Sequence, residues 1–310
     1  MSSNRGWRYA ISPVWCCATG SPMTVVPILG AGSSMADYRI GFKWWALIIA
    51  VVFVISELVC VACVPERPVA CDEKPGKISD MFKALFKNDQ AMTVVVSIIL
   101  VYTSLNICGN LVLYFFRFDV GNEGAYSIFA AVAFAAQVLV MMVIPLLRKR
   151  FSKSQLFISG FIIQIAGFAV ILIMAFAKLY TPQSWYILCL PGILIYLGYG
   201  MLNVIMTIFL SDSVDYGEVM NGTREESVIF SMQTFTVKLA SGVAVFLAGL
   251  VVDWIHLDTA AAVQTQDTLD ALRMWMTIPS VILLIVGIFV FKRFYKLDEK
   301  WMEENKSKIN

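Results

Sequence analysis

Three hundred and ten residues, 59% of them hydrophobic and only 15% charged, with mean hydropathy +0.74, do not describe a water-soluble chain. The 24 basic and 22 acidic residues gather in a few clusters separated by apolar runs of roughly 20 residues, the length that crosses about 30 Å of hydrocarbon. A soluble enzyme, a nucleic-acid binder and a disordered scaffold are excluded, and the net charge of +2 says nothing about partners, because in membrane proteins the placement of Lys and Arg decides.

In chain order the predicted spans are Arg8–Leu29, Trp44–Val64, Met92–Phe116, Ala125–Leu147, Gln155–Ala177, Trp185–Leu210, Val228–Val252 and Met274–Phe291. Each must be helical, since hydrocarbon offers the backbone no hydrogen-bond partner. The expectation is therefore an all-α membrane protein with about eight transmembrane helices. Pro13, Gly20, Pro22 and Pro27 interrupt the first span, which neighbouring helices can tolerate, and no small-residue cleavage site marks it as a signal peptide. The seven cysteines are an odd number, and Cys16, Cys17, Cys60, Cys63, Cys108 and Cys189 lie in or beside apolar runs, so paired disulfides are not expected.

An even number of spans puts both termini on one side. That side collects Arg5, Arg8, Arg67, Lys74, Lys77, Lys83, Lys87, the Arg148–Arg150 cluster, Lys153, Arg224 and the Lys/Arg-rich tail; the other holds Arg39, Lys43, Arg117, Lys178 and Arg273. The positive-inside rule then predicts an integral protein of the plasma (inner) membrane with both termini cytoplasmic. Pro65–Gln90, with Pro65, Pro68, Pro75, Gly76 and five basic residues, is the long polar interruption and reads as a cytoplasmic linker. The predicted organisation is a two-helix segment (1–66), the linker (67–90), a six-helix bundle (91–296) and a tail (297–310). Six helices make a plausible transporter half, whereas two cannot enclose a pocket.

Lys238 is the most informative residue. An ammonium near the middle of a membrane helix costs about 2.5–3.5 kcal/mol on insertion scales, so it must face protein, water or a ligand. Ser227, Ser231, Thr234, Lys238 and Ser241 fall on one helical face, opposite the apolar Ile229, Phe230, Val237, Ala244 and Leu247. Such a stripe suits a wet path for a hydroxyl-rich solute; a buried structural ion pair is the alternative. A second cluster, Ser211–Ser227, puts Asp212, Asp215 and Glu218 after the sixth span, with Arg224, Arg148 and Arg150 as candidate cationic partners in a gating charge network. A solvated acidic loop is the other reading. Asn106, Asn110, Gln137, Gln164, Asn203 and Gln233 either join helices or line a cavity, and Gly198, Gly200, Gly242, Ala248 and Gly249 would permit close helix contact. Glu57 is near enough to the end of its span to reach the interface.

Enzymatic constellations are missing. The single histidine, His256, cannot build a Ser–His or His–metal site alone, Cys60-x-x-Cys63 has no second pair, and no phosphate-binding glycine loop is present.

The string Asp212-x-x-Asp215-Tyr216-Gly217-Glu218, followed by Arg224-x-Glu226-Ser227-x3-Ser231-x-Gln233-Thr234-x3-Lys238, resembles the glycoside–pentoside–hexuronide:cation symporters, the melibiose permease family within the major facilitator superfamily. Lys87-Asn88-Asp89-Gln90, Tyr114-Phe115-Phe116 with Gly121-Asn122, and Tyr295-Lys296-Leu297-Asp298-Glu299-Lys300 carry the resemblance further. It implies that the spans correspond to helices 5–12 of a twelve-helix major facilitator fold. The implied function is secondary active transport of a sugar or glycoside by alternating access, coupled to Na⁺ or H⁺, with no cofactor. Lys238 and Thr234 match sugar-site positions of the family's eleventh helix and Arg8 an arginine of its fifth; Asp212, Asp215 and Arg224 match its cytoplasmic charge network. The family's cation-binding acidic residues lie in its second and fourth helices, so the coupling-cation site is expected outside this chain. Asn203 stands where the family often carries an aromatic residue. The expected partners are a sugar substrate, membrane lipid and the remaining N-terminal helices as a separate polypeptide, and the chain reads as the C-terminal two-thirds of such a symporter. The alternative, from another class, is a non-transporting membrane module for binding or assembly.

Overall fold

The computed structural model describes residues 43–44, 46–48, 50–56, 58–59, 88–221, 226–259, 261 and 263–297, with the backbone path alone at 221, 226 and 227. The chain divides into two units, Met1–Gly76 and Lys77–Asn310. In the first, the described residues form the short apolar helix Ala46–Ser56, inside the second predicted span. The first predicted span, Glu57, both cysteines of Cys60-x-x-Cys63 and most of the linker lie outside the described residues.

Among the described residues of the second unit, six helices are long and apolar enough to cross a membrane, and there are no strands. They are α1 (Asp89–Tyr114), extended by a π-helical turn Phe115–Asp119, α2 (Glu123–Leu147), α3 (Lys153–Phe176), α4 (Cys189–Asn221), α5 (Glu226–Trp254) and α6 (Gln266–Phe294). This is the all-α membrane architecture expected of the six later spans. Their starts are fixed by local chemistry. Asn88, Asn122 and Thr265 each accept the backbone N–H three residues on, and Ser152 with Gln155 forms a reciprocal capping box. Pro145 and Pro279 are held inside α2 and α6. Successive helices run antiparallel, so the bundle has an Asn88 end and an Asp119 end.

Two helices exceed their predicted lengths in ways that matter. α4 does not stop at Leu210 but continues through the acidic motif, so Ser211–Asn221 is helix rather than loop. The reason is that Asp212, Ser213, Val214 and Gly217 are buried against neighbouring elements, which repays the polar character of the segment. α6 begins at Gln266 instead of Met274, which brings Arg273 inside the helix with 3% of its surface exposed.

α1 and α4 are the most buried helices and pack on each other; α4 also contacts α2 and α3, and α1 contacts α5 and α6. Small residues set the closest approach. A Cβ at Gly198 would lie 2.6 Å from the Gly160 carbonyl oxygen of α3, and one at Gly200 would lie 2.6 Å from Val140 of α2, so both positions need glycine for contact. Gly242 and Gly249 of α5 meet nothing within 4 Å, while Ala248 is buried. Phe157, Phe161, Phe209 and Phe291 fill the core between α3, α4 and α6 with ring centroids 4.4–5.1 Å apart.

Candidate functional site

The polar stripe of α5 lies on an open face of the bundle. Ser231, Thr234 and Lys238 are exposed and Ser241 is half-buried, whereas Ile229, Ala240, Ala244 and Ala248 turn inward. Thr234 and Ser241 donate to the carbonyls of Phe230 (3.3 Å) and Val237 (2.9 Å), four residues back, which leaves their oxygen lone pairs available as acceptors. Among the described residues no carboxylate pairs with Lys238. The structural ion pair that would make this ammonium a packing device therefore has no partner there. Phe235 and Leu239, about half exposed, flank the stripe, so the face offers acceptors, a cation and an aromatic ring together. The Ser227 side chain and Arg8 lie outside what is described.

At the Asn88 end three separated motifs meet. Asn88 caps α1 by accepting the Ala91 N–H (2.9 Å), and its amide donates to the Ser213 carbonyl of α4 (2.8 Å) while 3% exposed. A Cβ at Gly217 would come to 3.0 Å from that amide nitrogen, so the glycine of the acidic motif admits the capping side chain. The Tyr216 hydroxyl bonds the Asp89 carboxylate. Gln90 accepts the Lys296 N–H (2.8 Å) and donates to the Phe294 carbonyl (3.4 Å), tying the end of α6 to the start of α1. Tyr295 packs on Phe209 and Phe291, with centroids 4.5 and 4.7 Å away; its phenol is held un-ionised, first by burial and then by the charge of Asp212.

Asp212, 7% exposed, takes a salt bridge of 2.6 Å from Lys153 at the first turn of α3. The sequence had pointed to Arg148, Arg150 and Arg224 instead. Arg148 is half-buried, its Nε without a hydrogen-bond partner among the described residues; Arg150 is exposed, and Arg224 lies outside the described residues. Asp215 and Glu218 are half-buried on α4 and have interactions of their own. Because α4 continues to Asn221, Asp212 sits well inside the helix, away from the unfavourable field of its C-terminus.

A third cluster, at the Asp119 end, escaped the sequence reading. Arg273 holds Asp119 in a two-pronged pair (Nε–Oδ2 2.9 Å) and Asp270 through Nη1 (2.7 Å), with the Arg273 and Asp119 side chains 4% and 3% exposed. The Tyr180 hydroxyl also donates to Asp119. Burial, then this bond, pushes the Tyr180 phenol up from its ordinary value. The signal was faint: an Asp three residues before an Arg, and one Asp beside Gly121-Asn122.

The intramembrane amides separate into types. Asn203 donates across to the Tyr102 hydroxyl (2.7 Å) and joins α4 to α1. Asn106 and Asn110 donate to carbonyls four residues back in α1, at 2.7 Å each. Gln137 and Gln164 are buried, Gln164 with neither amide atom bonded among the described residues, and Gln233 is half-buried. Among the described residues no group of three or more His, Cys, Asp or Glu side chains is placed to hold a metal ion.

Comparison with known proteins agrees with this architecture. The raffinose carrier protein of Pediococcus pentosaceus is 25% identical over 280 residues, 87% of this chain and 42% of the relative. The isoprimeverose transporter of Lactiplantibacillus pentosus is 25% identical over 280 residues, 89% of this chain and 56% of the relative. The lactose permease of Lactobacillus delbrueckii subsp. bulgaricus is 23% identical over 269 residues, 85% of this chain and 42% of the relative. The chain spans about half the length of the curated relatives it matches. The family described as MFS/sugar transport protein matches residues 5–299, nearly the whole sequence. This integral membrane protein, with six membrane-length helices among the described residues and an open polar face on α5, belongs to the MFS/sugar transport protein family, whose members are transporters and not enzymes.

Proposed function

We propose that this chain forms part of a sugar or glycoside carrier that works by alternating access, coupled to Na⁺ or H⁺. The substrate path runs along the open face of α5. The carrying observation is Lys238: an ammonium in a membrane-length helix, exposed, without a carboxylate partner among the described residues, on a face with Ser231 and Thr234. Burying that group in lipid is unfavourable, whereas a polyhydroxy solute supplies acceptors to the ammonium and donors to the hydroxyl lone pairs. Lys238 and Thr234 bind substrate in this account, and Arg8 is assigned a substrate-binding role from the family resemblance. The transported sugars of the relatives support the substrate class.

The Asn88 end faces the cytoplasm on this reading, because Arg148, Lys149, Arg150, Lys153, Lys292, Arg293 and Lys296 all lie there in the plasma membrane. Asp212, Asp215, Glu218, Arg148, Arg150 and Arg224 then form the gating charges at the cytoplasmic mouth. Asp212 is anchored within the bundle by Lys153, and the buried Arg148 Nε awaits an acceptor. Such pairs bias two packings of a bundle, since each forms in one and breaks in the other.

The test is uptake of labelled raffinose and isoprimeverose into vesicles from cells expressing the chain, alone and together with a polypeptide carrying an N-terminal helical bundle of a relative. Ion-dependent uptake that Lys238→Ala abolishes supports the proposal. Uptake unchanged by Lys238→Ala overturns the assigned site.

A further inference from the structure

The Asp119 end contains a cavity of about 290 Å³ that the carrier reading leaves unused. Phe118, Asp119, Lys178, Tyr180, Gln266 and Arg273 are among its lining residues. That volume sits at the small end of ligand pockets and matches a solute of one sugar ring. Three observations argue that it is built for a ligand.

First, the backbone is arranged for it. α1 ends in a π-helical turn, Phe115–Asp119, closed by Val120 N–H to the Phe115 carbonyl and Asn122 N–H to the Phe116 carbonyl, both 3.0 Å. The additional residue rotates the following side chains by about 100° relative to an uninterrupted α-helix and carries Asp119 onto Arg273. Second, burying Asp119 and Arg273 is expensive in desolvation, and an apolar contact would stabilise the bundle as well. Third, the cavity has more donors than acceptors. The bonds to Asp119 and Asp270 engage three of the five guanidinium N–H groups of Arg273 and the Tyr180 hydroxyl oxygen faces a fourth, leaving one. Among the described residues the Lys178 ammonium, next to the end of α3, reaches only the Gln266 amide oxygen, at 3.3 Å. Arg273 and Lys178 are balanced by Asp119 and Asp270, so the set is electrically neutral and calls for neutral oxygen. The Phe118 ring offers an apolar wall.

We propose that this cavity is a second solute site, separate from the α5 face, which binds a neutral polyhydroxylated molecule of one-ring size. Solute hydroxyls accept from Lys178, Gln266 and the remaining Arg273 N–H group and donate to the amide oxygens of Gln266 and of Gln264, which also lines the cavity. Asp119 and Tyr180 act by positioning Arg273.

The test is saturation-transfer NMR of the purified chain in detergent micelles with D-glucose and D-xylose as probes, carried out in a Lys238→Ala background that disables the α5 face. Binding at millimolar concentration persists in that background and weakens at least about tenfold on adding Lys178→Ala with Gln266→Ala, since the charged bond from Lys178 alone is worth about that much. Both changes leave the Asp119–Arg273–Tyr180 cluster intact, so the bundle remains folded. Circular dichroism and the melting temperature confirm that. No binding in the Lys238→Ala background, or binding indifferent to Lys178 and Gln266, overturns the proposal and leaves the cluster a structural staple. Displacement of the sugar by inorganic sulfate, but not by a second neutral polyol, overturns the neutral-solute assignment.

Discussion

The Lys153–Asp212 bridge couples α3 to α4 and can be weighed from its geometry. The charged atoms are 2.6 Å apart and the side chains 14% and 10% exposed. At an effective dielectric constant near 20 the attraction is about 6 kcal/mol, and in bulk water about 1.6 kcal/mol. Desolvation of both ions removes most of the larger figure, which leaves a net coupling of about 2 kcal/mol. Removing both partners should cost less than the two single losses added together, because each single variant leaves a nearly buried charge without this bridge. Asp212→Asn and Lys153→Met should each destabilise the chain by about 3 kcal/mol, and the double variant by about 4 rather than 6 kcal/mol. The assay is equilibrium unfolding by sodium dodecyl sulfate in mixed micelles, followed by circular dichroism across the four proteins of the cycle. A coupling below about 0.5 kcal/mol, with single effects as small as those of exposed pairs, would refute this reasoning.

Other consequences follow from the same contacts. Asp119→Asn should lower stability by about 3 kcal/mol, read as melting temperature, since it leaves Arg273 buried without its two-pronged partner. Gly198→Ala should destabilise by about 1–3 kcal/mol because its Cβ meets backbone at 2.6 Å. Gly242→Ala, with nothing within 4 Å, should instead stabilise by up to about 1 kcal/mol through helix propensity, in the same unfolding assay. Asn88→Ala removes a cap and a buried bond to α4 and should cost about 2 kcal/mol, with hydrogen exchange rising at the start of α1; Asn88→Ser should recover about half by restoring the cap.

The long helices were legible because an apolar run of about 20 residues has few alternatives in hydrocarbon. The offsets of Ser231, Thr234 and Lys238 placed them on one face, and the structure puts that face in the open. The extension of α4 was not legible. Asp212, Asp215 and Glu218 look like a solvated loop until Asn88 and Lys153 are seen to meet them, and those residues lie 125 and 59 positions from their partners Ser213 and Asp212. Likewise Arg273 reads as a loop cation until Asp119, 154 positions away, closes on it. Hydropathy locates the helices, while the polar bonds between them depend on the tertiary register that packing sets.

The central claim is that the stripe around Lys238 is wet and touches sugar. It is tested most directly by placing a single reactive thiol beside it, Ser231→Cys in a chain whose seven native cysteines are replaced by serine or alanine. Labelling by a membrane-impermeant maleimide should be rapid, slowed by the transported sugar, and no longer slowed once Lys238→Ala is added. A thiol there that resists the reagent, or whose sugar protection survives Lys238→Ala, contradicts the account.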